Sequence, residues 1–247
     1  MDILNDSRPG DIWNTSGGAF DWKHPFFSIG RSILVKVIKR TQASDFCLKM
    51  KPKDVPGIID SHSTMYFTPS EVFSVQVPKP TFINSNEYTR DPKALVCVYR
   101  MNPAYFTREL RETDLIMLRE GCNEIIRWGN KYDMGQNVDI LINTIAGYPW
   151  KDRTNLFDAG PKRLVCSVGV ATVIAYWRHR LFLLAKENIP QPWKVLNPQA
   201  WPEKLVKAYP GHWDISTTYP ANFSVTETHF NHEFILIGKY RGGNRVG

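Results

Sequence analysis

The chain opens on a turn, Arg8-Pro9-Gly10-Asp11, from which Ile12 and Trp13 lead into a short strand. Residues 17–30 mix Gly, aromatics and Pro and read as a loop. Ser32 to Arg40 is apolar with alternating basic residues, as in a strand or short helix, and residues 41–57 are irregular. Ser63 to Phe67 is a run of β-formers, and Val72 to Val77 alternates with period two. Pro69 and Ser70 mark the turn between them, so the pair predicts a hairpin, with Pro78 and Pro80 ending it. Ala94 to Arg100 predicts a buried strand.

Helical spacing takes over at Thr113 to Lys131, where Leu115, Ile116, Leu118, Cys122, Ile125 and Ile126 share a face and Thr113 or Asp114 can cap. A second short helix is predicted over Asp139 to Ile145, and a loop over 147–163. Leu164 to Lys186 predicts a long helix with Cys166 near its start. Four prolines keep 188–202 irregular, Glu203 to Ala208 reads as a helical turn, and Phe230 to Tyr240 as a last strand. The tail GGNRVG is expected to fray. No internal repeat or low-complexity linker divides the chain, so the reading is one domain over 1–247.

Composition adds to this picture. A chain of 247 residues with 43% hydrophobic and 22% charged residues is an ordinary globular chain, able to bury a core without disulfides. Its net charge of +7 favours an anionic partner, but the basic residues are scattered, which argues against a nucleic-acid arm. Eight Trp residues suit a sugar-rich or protein surface as well as a core. The four cysteines contain no CxxC pair, and His229 and His232 lack a matching third ligand, so neither metal nor cofactor is expected. The N-terminus shows no signal peptide and no apolar run reaches membrane length, so a protein made in the cytoplasm without a transmembrane segment is expected.

Candidate chemistry centres on Cys166. At a helix start, unpaired N–H groups and the helix dipole favour a thiolate, and Lys162 and Arg163 add positive charge. Cys97 falls in an apolar strand, Cys122 mid-helix and Cys47 in an irregular stretch, which makes them packing or surface thiols. A thiol nucleophile needs a base, and His62 stands where the first hairpin strand begins; on spacing alone it serves equally well as a surface histidine after a turn.

The order of short motifs carries more. Pro9-Gly10-Asp11-Ile12, then His62-Ser63-Thr64-Met65-Tyr66-Phe67, then Tyr132-Asp133 before Asp139 to Asn143, then Cys166-Ser167-Val168-Gly169-Val170-Ala171, and loosely Trp201-Pro202-Glu203-Lys204-Leu205, span about residues 8 to 208. This series resembles the circularly permuted NlpC/P60 cysteine hydrolases of the YiiX-like group, related to lecithin:retinol acyltransferase. The resemblance implies an α+β, papain-like fold, an antiparallel sheet packed on a catalytic helix. It also implies Cys166 as nucleophile, His62 as base, and an acyl-enzyme formed from an amide or ester.

Two departures stand out. An insertion of about 14–57 separates the first strand from His62. The family's third polar group, often Glu or His, falls on the strand after the histidine, where Ser74 and Gln76 share a side. Gln76 can orient an imidazole through its amide, but neither residue supplies a carboxylate's charge.

His232, in FNHEFILIG, is a second candidate base, in the unpermuted order. The leading functional expectation is a peptidase or amidase acting on peptidoglycan stem peptides or another anionic polymer. The missing signal peptide suits a phage protein carried in a virion. A structural or adaptor virion protein with a weak or dead site, contacting other virion proteins, is the alternative; a lipid acyl hydrolase or transferase is a third.

Overall fold

The structure is a computed structural model that describes residues 2–16, 36, 61–76, 78–106, 108–127, 131–132, 163–185, 193–194, 213–214, 223 and 233–247. Its centre is a seven-stranded antiparallel sheet: β1 (Ile12–Ser16), β2 (His62–Thr68), β3 (Glu71–Val75), β4 (Pro80–Ile83), β5 (Leu95–Met101), β6 (Phe234–Arg241) and β7 (Asn244–Arg245). The order across the sheet is β7-β6-β5-β1-β2-β3-β4. The fold is therefore α+β, with the N-terminal strand in the middle of the sheet.

Alternation along the strands sends side chains to two faces. Met65 and Phe67 of β2, with Phe73 and Val75 of β3, join the larger core. That core is closed by α3 (Glu112–Arg127) and α4 (Cys166–Ala185). Trp13, Tyr66 and Val72 face the other way, into a smaller core with Ile3 of α1 (Ile3–Asp6), Val98 and Tyr240. Tyr88, on the short helix α2 (Asn86–Thr89), packs against that second core.

The predicted hairpin is β2–β3, with Thr64 opposite Ser74 and Met65 opposite Phe73. The predicted strand over 94–100 and the two long helices also form, at Leu95–Met101, Glu112–Arg127 and Cys166–Ala185. The hairpin ends at Val75, ahead of Pro78 and Pro80 as expected, and Pro80 opens a further outer strand, β4, which pairs with β3 where a missing N–H can face away from the ladder. Two expectations are corrected. The tail does not fray: Gly242 and Gly243 take positive φ, 55° and 78°, and turn the chain back so that Tyr240 pairs with Arg245. Asn14 to Ser16, assigned to an insertion, belong to β1 and pair with both β2 and β5. Residues 17–35 and 37–60, the helix expected over 139–145, Cys47, His229 and His232 lie outside the described residues.

The Pro-Gly-Asp turn has a physical reason. Gly10 has φ +89°, and a Cβ there would come within 2.7 Å of Leu110 Cδ1. Asp11 is buried; its carboxylate accepts from the Arg8 amide at 2.8 Å and from Arg100 Nε and Nη2 at 2.9 and 2.7 Å. Burial pushes the Asp11 carboxyl up, against the pull of Arg100. The signature thus fixes the entry to β1.

Asp114 does the same for the helices. Arg108 grips its two oxygens at 2.5 and 3.0 Å, the Arg111 amide donates at 2.7 Å, and Trp177 Nε1 of α4 donates at 2.9 Å. One carboxylate thereby anchors the start of α3 and pins α4 to it. Gly121 lets the helices close, since a Cβ there would lie 3.1 Å from the Tyr176 ring.

Candidate active site

Cys166 is the first residue of α4, as the sequence predicts. The helical ladder starts with the Gly169 amide donating to the Val165 carbonyl at 2.9 Å. The amides of Cys166 and Ser167 therefore precede the ladder, and Val165 has no side-chain oxygen to cap them. The thiol lies beside both amides, beside the Ser167 hydroxyl, and beside the backbone N–H of Ser63. The β2–β3 register begins at Thr64, so Ser63 stands just outside it.

Four donors around a sulfur favour the thiolate. Burial opposes them and is the larger effect: Cys166 is 4% exposed, and its thiol is pushed above the ordinary range. This reverses the expectation of a lowered thiol pKa. The helix N-terminus is in place, but the surrounding core removes the water that a free thiolate needs.

The approach of α4 to the sheet is set by Gly169. A Cβ there would sit 2.3 Å from Val75 Cγ2, so only glycine lets the first turn of the helix lie on the end of β3.

His62 opens β2 opposite Thr15 of β1 and is partly buried. Its Nε2 lies 3.1 Å from Ser74 Oγ and 3.2 Å from Tyr88 Oη, and the two hydroxyls are 3.1 Å apart. Ser74, one of the two candidates for the third polar group, thus lies beside the ring. Gln76 stands one residue past the end of β3 and is partly buried. Tyr88 comes from α2, outside every quoted motif. Strand alternation gives no sign of it, because its approach depends on how β4 and α2 fold over the second face.

The two halves of the site flank one strand end. Ser63 turns toward α4, where its hydroxyl donates to Asn14 Oδ1 at 2.7 Å, and its amide meets the Cys166 thiol. His62, one residue earlier, turns to the face that holds Ser74, Tyr88 and Trp13. The amide that touches the sulfur is that of the peptide joining His62 to Ser63. Sulfur and imidazole are thus brought to the same end of β2 from the two sides of the sheet.

Cys97 and Cys122 are buried inside the larger core, and burial raises the Cys122 thiol far above its usual value, as packing cysteines require. Among the described residues, no cluster of three or more His, Cys, Asp or Glu is placed to hold a metal ion, and no helix is long and apolar enough to cross a membrane.

No family model matches the chain, and neither a curated protein nor a solved structure is significantly similar to it.

Proposed function

We propose that the protein is a cysteine hydrolase of the permuted NlpC/P60, papain-like kind, cleaving amide bonds through Cys166 and His62. The observation that carries this reading is the Cys166 sulfur, set at a helix start among the amides of Ser63, Ser167 and its own residue, beside the strand end that bears His62.

In this reading His62 takes the thiol proton on Nδ1 while Nε2 stays with the hydroxyls. The sulfur attacks the carbonyl carbon, and the developing oxyanion draws on N–H groups at the start of α4. The C–N bond breaks, the imidazolium returns its proton to the leaving amine, and water then hydrolyses the thioester to restore the thiol. Because burial favours the protonated thiol, the proton leaves when substrate is bound rather than in the resting site. The ring and the sulfur must then come within about 2.6–3.2 Å of the shared proton path, a little more for sulfur. A net charge of +7 suits an anionic polymer such as peptidoglycan, and a phage virion is a fitting carrier.

The second reading is a structural or adaptor virion protein that keeps the fold without turnover. Two observations favour it: the raised Cys166 thiol, and the neutral hydroxyls of Ser74 and Tyr88 at Nε2 of the imidazole.

The deciding experiment incubates the protein with purified cell walls and with synthetic stem peptides, and scores released amines together with an acyl adduct on Cys166 by mass spectrometry. Turnover that disappears in Cys166→Ala and His62→Ala but persists in His232→Ala supports the proposal. Loss in His232→Ala with His62→Ala active moves the base to the unpermuted position. Absence of both turnover and adduct in the wild type, with fatty-acid release from lipid esters also absent, replaces the enzyme with the structural protein.

A further inference from the structure

We propose that Tyr88 is a positioning residue for His62, acting with Ser74 as a pair of hydroxyls on its Nε2. The inference rests on the cysteine-hydrolase reading for its catalytic meaning, but its structural content stands on geometry alone.

Packing by itself asks only for an aromatic ring at residue 88. The Tyr88 ring lies against Trp13 edge to face, with centroids 6.4 Å apart, and nearly parallel to the His62 ring at 6.1 Å. Phenylalanine would serve both contacts. The hydroxyl adds a specific arrangement: Tyr88 Oη, Ser74 Oγ and His62 Nε2 form a closed triangle with edges of 3.1, 3.2 and 3.1 Å. Ser74 is fully buried on β3, and the backbone holds α2 in place, with the Ser85 amide donating to the Pro69 carbonyl at the β2–β3 turn. Two rigid elements therefore aim two hydroxyls at one ring nitrogen.

The chemistry of this pair differs from that of a carboxylate. A hydroxyl both donates and accepts, so each can accept from a protonated Nε2 or donate to a bare one. A carboxylate accepts only and would fix the proton on Nε2. The triangle holds the ring's direction in both protonation states without adding a charge to stabilise imidazolium. In the hydrolase reading, Nδ1 is the nitrogen that exchanges a proton with the nucleophile. Tyr88 touches neither sulfur nor substrate in this scheme; it acts through the ring it orients.

The test uses the whole chain labelled with 15N at the histidine ring, His62 being assigned by its loss in His62→Gln. Long-range 1H–15N spectra are recorded through the titration of the ring for wild type, Tyr88→Phe, Ser74→Ala and the double variant. The expected wild-type spectrum has a tautomer ratio set by the two hydroxyls and distinct from that of a solvated imidazole. Tyr88→Phe should keep the folded spectrum elsewhere while shifting the Nε2 resonance and mixing the tautomers, and the double variant should abolish the bias. On any substrate that the wild type turns over, Tyr88→Phe should lower kcat about tenfold at unchanged KM, the pattern of a lost orienting contact. An unchanged His62 spectrum in Tyr88→Phe overturns the proposal. Should no substrate be turned over, the hydrolase reading falls on that result, and the ring spectra still decide whether Tyr88 positions His62.

Discussion

The backbone amide of Ser63 lies beside the thiol of Cys166, which brings the first residue of α4 to the strand residue next to His62. That contact is one of several favouring a thiolate in an environment where burial favours the thiol. The balance between them has measurable consequences.

Alkylation of Cys166 by iodoacetamide should be slow near neutral pH. Its rate should climb through and beyond the ordinary thiol range of about 8.5, because the folded thiol sits above its usual value. A rate that is already at its plateau at pH 7 would show a preformed thiolate and sink this account. Cys122, deeper and raised further, should label only on unfolding.

Gly169→Ala should both destabilise the fold and displace the nucleophile. The new methyl meets Val75, and overpacking of this kind costs about 1–3 kcal/mol. Val75→Ala makes room, so the double variant should recover most of what its two single changes lose, a coupling read from a denaturant double-mutant cycle. Additive losses would mean that the helix does not rest on β3 at this point.

Asp114 governs acid stability. Burial alone would raise its carboxyl, but hydrogen bonds from Arg108, Trp177 and the Arg111 amide outweigh it and hold the carboxyl below its ordinary value. A depressed folded value means that this stability is fully present above the unfolded pKa of about 3.9 and is lost as pH falls through the lower folded one. Asp114→Ala should cost about 3–5 kcal/mol at neutral pH, as breaking one side of a buried pair does. It should also flatten the acid limb of a urea-midpoint against pH curve. An unchanged acid limb would remove Asp114 from the account.

Gly10→Ala tests the Pro-Gly-Asp turn. The residue needs φ +89° and has Leu110 in the way. The substitution should lower the melting temperature clearly, whereas Pro9→Ala, next to it and exposed, should change it little. Equal effects would show that the turn's ring constraint, rather than its glycine, is what matters.

Much of this was legible in the sequence. The β2–β3 hairpin was written in period-two alternation around Pro69-Ser70, and α3 in spacing that buries one stripe, as Leu118, Cys122 and Ile125 do, while the long apolar run after Cys166 marked α4. Cys166 at a helix start and Ser74 beside His62 follow from local pattern, since both depend on residues near them in the chain or across one hairpin. The features that escaped depend on distant segments. Tyr88 reaches His62 only because α2 folds over the second face. The Cys166 thiol is raised by a core that no neighbouring residue announces. β7 forms because two glycines reverse the chain where composition alone suggests a loose end.

The position of β1 bears on biogenesis. Its two neighbours, β2 and β5, both follow it in the chain, and β5 in turn needs β6 from residues 234–241. Ile3 donates to the Gly243 carbonyl, and the Tyr240 hydroxyl donates to Asp6, so the first turns of the molecule are fastened by its final hairpin. A chain emerging from the ribosome therefore holds an open edge on β5 until residues 234–241 have been translated. Pairing at this range is slow, and exposed edges recruit other chains. A nonsense codon or protease cut before residue 234 should accordingly give aggregates rather than a smaller soluble domain, even though the proposed nucleophile and base both lie upstream of it.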